Sequence, residues 1–89
     1  MTVTENTVTA VRTHVQLSTG AVLRTNEFTQ ERADLITHEL TRSIEGSDSY
    51  PTVDFPDEDG WRVLSSKYIV QVWHTSRQVR AEVLDGGQP

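Results

Sequence analysis

His14, His38 and His74, the acidic turn Asp57-Glu58-Asp59-Gly60 and the pair Ser65-Ser66 are the residues of this chain whose types could carry chemistry. Each fails on spacing. His38 follows Asp34 by four residues, the separation of a surface pair on one helix face, and neither His14 nor His74 has another histidine at ligand spacing. A calcium loop needs about six oxygens at fixed offsets and a distal bidentate glutamate, of which the acidic turn supplies a fragment. The serines lack the flanking glycines of a nucleophile elbow, and no order of Ser, His and Asp stands apart from chance. Gly20, Gly46, Gly60, Gly86 and Gly87 fall in turns, a helix stop and a tail, so no phosphate-cradling loop is present. Without cysteine there is no thiolate metal site and no disulfide. The chain reads as a non-enzyme with no cofactor and no metal.

Binding is the remaining chemistry, and the strands that must position it can be read from alternation. Val8 to Leu17 places Val11, Thr13, Val15 and Leu17 on one face and Arg12, His14 and Gln16 on the other. Ser18-Thr19-Gly20 reads as a three-residue hairpin loop with Gly20 in the left-handed conformation, which sets Leu17 against Ala21, Val15 against Leu23 and Thr13 against Thr25. A two-residue loop would slip the register and bring Arg24 among the core residues. Thr29 can cap a following helix, with Phe28 before it and Gln30 and Glu31 in the first turn. Ala33, Ile36, Leu40 and Ile44 then share one stripe, and Gly46 is the expected stop, in the left-handed position.

A second hairpin is expected around Pro56 to Gly60, pairing Phe55 with Trp61, Val53 with Val63 and Asp54 with Arg62. Ser66-Lys67 would turn the chain again, setting Val63 against Val70 and Arg62 against Gln71. With Tyr68, Val70 and Val72 inward, the outward set becomes Leu64, Ile69 and Trp73. Arg77 to Leu84 alternates weakly and is open to two readings, a sixth strand or an arm ordered in a complex. The fold class is α+β: an antiparallel sheet of about five strands, built as a hairpin, one helix, and a hairpin plus strand, with the helix on one face. Residues 1–7 read as a flexible start, 8–75 as a single domain, and 76–89 as a strand or arm ending in a disordered tail.

One helix covers part of one sheet face, so the outward apolar set needs a partner. Leu64, Ile69 and Trp73 are the expected anchors of a protein interface, with Arg62, Gln71 and His74 at its rim; the partner is a second copy or another protein. An alternative is a nucleic-acid regulator in which Arg12, His14 and Arg24 work beside Trp73, since basic groups next to aromatics hold a base and its phosphate. The formal charge of −5 weighs against it, and a solvated strand face is the simpler reading. A further alternative is a small molecule held at a subunit interface by Tyr68, Trp61 or Tyr50. Neither a leader nor a run approaching about 18 apolar residues is visible, so the expectation is a cytoplasmic protein without membrane contact.

Overall fold

A computed structural model describes residues 6–46, 48–82 and Leu84. Strand β1 (Thr7–Leu17) leads into β2 (Val22–Arg24) and the short β3 (Phe28–Thr29). Gly20 turns the hairpin at φ 93°, and Leu17 N–H donates to Ala21 C=O at 2.9 Å, so the loop has the three residues the sequence predicts. Val15 pairs with Leu23 and Gln16 with Val22, while β3 continues along the same edge of β1 through Ala10 to Thr29 and Val11 to Phe28. Val11, Thr13 and Val15 are buried, as their alternation requires.

Helix α1 (Gln30–Glu45) starts where Thr29 Oγ1 accepts the Arg32 N–H at 3.2 Å. Ala33 and Leu40 are buried and Ile36 packs partly on the core, but Ile44 is 39% exposed. Gly46 ends the helix at φ −117°, outside the left-handed region the sequence predicts for it. The need for glycine is one of space: a Cβ there would come within 3.2 Å of the Tyr50 ring and 3.3 Å of the Arg42 carbonyl.

Strands β4 (Thr52–Asp57) and β5 (Gly60–Ser65) form the second hairpin, one residue out of the expected register. Val53 pairs with Leu64, Phe55 with Arg62 and Asp57 with Gly60, so the loop is only Glu58-Asp59 and Gly60 takes φ 137°. Asp57 closes this tighter turn: its carboxylate receives Arg62 Nε at 3.1 Å and the Arg24 N–H at 3.4 Å. Arg62 is therefore tied to Asp57 and not to Asp54. The one-residue shift exchanges the two faces of β5, burying Leu64 and leaving Trp61 and Val63 about 70% exposed.

No second turn returns the chain to β5. Ser66–Tyr68 is a single 3-10 turn, from which β6 (Ile69–Arg80) crosses to the free edge of β1 and pairs with it from Leu17↔Ile69 to Thr7↔Arg80. The pairs Val63–Val70 and Arg62–Gln71 accordingly do not form. The eleven residues of β1 give β6 a longer ladder than the six of β5 could. A bulge at the Gln16/Leu17 step leaves Val70 without an opposite residue and turns Ile69 onto the core. β6 runs across position 76, so Arg77 to Arg80 is strand; Ala81, Glu82 and Leu84 are helical, and residues 85–89 lie outside the described residues.

The α+β class thus holds, with one helix on antiparallel strands divided between two sheets. The order across the first is β2 and β3 on one edge of β1 and β6 on the other, and an isolated bridge, Thr25↔Asp57, joins it to the β4–β5 pair. Val15, Leu40, Val53, Phe55, Leu64 and Ile69 make the main core. Ala10, Val79 and Leu84 form a smaller cluster backed by Val8. Among the described residues, no helix is long and apolar enough to cross a membrane.

Candidate interaction face

On β1, alternation directs Arg12, His14 and Gln16 away from the main core, and β6 sets Thr75, Trp73 and Gln71 opposite them. His14 and Trp73 are stacked, their ring centroids 5.2 Å apart and their planes 8° from parallel. His14 Nε2 lies 2.8 Å from Thr75 Oγ1, and Gln71 Nε2 donates to Gln16 Oε1 at 2.7 Å. Burial, then the positive charges of Arg24 and Arg12 and the nearby His74, hold the His14 pKa below its ordinary 6.5. The imidazole is neutral at neutral pH.

Arg12 and Arg24 converge on one carboxylate. Glu58 Oε2 is 3.5 Å from Arg12 Nη1 and Glu58 Oε1 is 3.1 Å from Arg24 Nε, while the Glu58 N–H donates to Arg24 C=O at 2.9 Å. The acidic turn is therefore a clasp holding the second hairpin to the first. Arg77 makes a bidentate pair with Glu27 at 2.6 and 2.7 Å, which lowers the Glu27 pKa and raises that of Arg77. Arg12, His14, Arg24, Glu27, Thr75 and Arg77 line a groove of about 540 Å³. Three cations there face two carboxylates, which leaves little uncompensated charge to attract a polyanion.

The other expected site residues separate. Leu64 and Ile69, read from the sequence as interface anchors, are buried at 6% and 8% exposure in the main core; the β5 register and the Val70 bulge account for the difference. Arg62 lies in the other sheet on Asp57, and His74 sits on the inner face with Nε2 2.5 Å from Thr37 Oγ1. Trp73 alone of the three anchors remains partly accessible, at 36%. Gln71 stays beside it on the same face.

The apolar surface that sequence reasoning missed lies in two places. Tyr68 in the 3-10 turn and Val70 near the start of β6 are exposed, as are Trp61 and Val63 on β5. Trp61 also joins Leu35, Ile36, Tyr50, Val53 and Pro56 around a groove of about 530 Å³ between α1 and β4. The signal was in the turn: a two-residue Glu58-Asp59 loop before a glycine places Trp61 outward directly. Tyr50 and Trp61 share this groove, and Tyr68 does not line it.

Ser66 Oγ donates to the Tyr50 carbonyl at 2.6 Å and hydrogen-bonds Ser43, so it is a buried connector between the helix end and the turn. Among the described residues, no three His, Asp or Glu side chains are grouped to hold a metal ion. No protein-family model matches this chain, and neither a curated protein nor a solved structure shows significant similarity to it.

Proposed function

We propose that the protein is a cytoplasmic, non-catalytic interaction module that associates with itself through its C-terminal strand. The observation that carries this reading is β6: twelve residues long, paired to β1 along one edge, and without a strand on its other edge among the described residues. Such an edge presents a row of backbone donors and acceptors that templates pairing with another chain. Val70 and Trp73 add exposed apolar surface on β6, and Tyr68 adds more in the turn just before it. Self-association would also supplement the limited core that 89 residues can bury.

Light scattering after size exclusion, over a range of concentrations, tests the reading. The wild type is expected to be an oligomer, and Val70→Lys and Trp73→Ala are expected to lower its mass while the helix signal in circular dichroism persists. A mass unchanged by both substitutions would sink it. A monomer that instead takes up an extended peptide along β6 would mean that the edge serves a different protein.

The convergence of Arg12, His14 and Arg24 beside Trp73 favours a second reading, single-strand nucleic-acid binding, against which Glu27 and Glu58 stand. Anisotropy of a labelled oligonucleotide decides it: binding must weaken steeply with salt and fall in Arg12→Ala and Arg24→Ala.

A further inference from the structure

We propose that two copies join edge to edge through β6, antiparallel about a two-fold axis at Thr75, so that Trp73 of each copy lies opposite Arg77 of the other. This rests on β6 being the assembly edge and adds the partner's geometry.

Strand chemistry narrows the pairings. Side chains alternate with period two, so both helices fall on one side of a shared sheet only when opposed residue numbers have the same parity. The bulge at Val70 interrupts the regular ladder, leaving Gln71 to Arg80 as the usable edge. Folding that stretch back on a copy of itself allows two central positions, Thr75 and Ser76.

Centred on Thr75, Trp73 meets Arg77, Gln71 meets Val79, Val72 meets Gln78 and His74 meets Ser76. No like charges are opposed. Centred on Ser76, Arg80 falls opposite Val72, a residue packed against the main core, and a charge is forced to the rim of that core. One step further sets two Arg77 guanidiniums face to face.

The Thr75 register also covers the part of Trp73 that each chain leaves open. Trp73 remains 36% exposed although His14 covers one side of its ring; Arg77 is paired with Glu27 across β1 within its own chain, so its guanidinium meets the partner's Trp73 only by turning from that ion pair to the β6 edge. A guanidinium beside an indole is the favourable cation–π arrangement. The contact is isologous, as a two-fold requires: each copy gives one Trp73 and receives one. The product is one continuous sheet with the helices on one side and two His14–Trp73 stacks on the other.

The chain contains no cysteine, so one introduced thiol reports the axis without background. Directly opposed antiparallel residues have Cα atoms about 4.5–5.5 Å apart, within the disulfide range of about 4.4–6.8 Å. Thr75→Cys is expected to give a covalent dimer under mild oxidation, whereas Gln71→Cys, displaced along the same strand, and Val63→Cys, on β5, remain monomeric on a non-reducing gel. If light scattering shows a dimer but Gln71→Cys or Val63→Cys crosslinks in place of Thr75→Cys, the Thr75 register is overturned and self-association survives. A wild type that stays monomeric at all concentrations removes both.

Discussion

The His14 imidazole lies against the Trp73 indole with 5.2 Å between ring centroids, and its Nε2 is fixed 2.8 Å from Thr75 Oγ1. Three residues from two antiparallel strands thereby make one unit, built around an imidazole kept neutral by burial and by Arg24 and Arg12. In Trp61→Phe, where Trp73 is the remaining tryptophan, a protonated His14 quenches the indole. Fluorescence is expected to fall on acidification with a midpoint below 6.5, and His14→Gln to abolish the step. The folded-state pKa is depressed, so the unfolded chain takes up the proton first. The stabilising contribution is therefore complete above about pH 6.5 and is lost as pH falls through the folded value. A midpoint at or above 6.5 would contradict the environment described for the ring.

The register of β4 and β5 separates two substitutions that the sequence alone would rank the other way. Leu64, 6% exposed, is expected to cost about 2–4 kcal/mol when truncated to alanine. Trp61, 70% exposed, is expected to cost less than about 0.5 kcal/mol. Urea denaturation of the two variants checks this, and a more damaging Trp61→Ala would restore the other register.

Asp57 is buried, which raises its pKa, yet the hydrogen bonds from Arg62 and from the Asp59 and Arg24 backbone, with the Arg62 charge, outweigh that and lower it below the ordinary 3.8. A depressed carboxylate stabilises the fold above the unfolded value and ceases to do so as pH falls through the folded one. The stability lost below about pH 4 is therefore expected to shrink in Asp57→Asn, which should itself be weaker than wild type at pH 7 by about 1.5–3 kcal/mol, the range for hydrogen bonds to a charged group. Thermal melts of both proteins from pH 2 to pH 7 read this difference, and identical acid profiles would remove Asp57 from the clasp.

Local signals were legible where one neighbour decides the geometry. Gly20 and the Val15–Leu23 pairing, the Thr29 cap, and the inward Val53 and Phe55 all follow from turn chemistry and alternation. The partner of β6 did not. From the sequence Ser66-Lys67 reads as a hairpin loop, but the Ser66 N–H donates to Pro51 C=O and its hydroxyl serves Tyr50, both contacts made across the fold. Which free edge a strand joins depends on ladder length and on contacts far along the chain, and alternation is blind to both. The basic cluster shows the same limit. Its three members do converge, whereas the Glu58 carboxylate that neutralises two of them arrives from a turn distant in sequence.

The ladder between β1 and β6 joins the first described strand to the last, and near its end Ala81 N–H donates to Asn6 C=O at 2.8 Å. During synthesis β1 emerges before β6 and can close its hairpin with β2 at once, but its other edge stays unsatisfied until β6 has left the ribosome. Folding must therefore be completed after translation of β6 and not progressively, and the closing step carries the entropy of the whole intervening loop. In that interval the nascent chain exposes the edge of β1, the surface most in need of a chaperone.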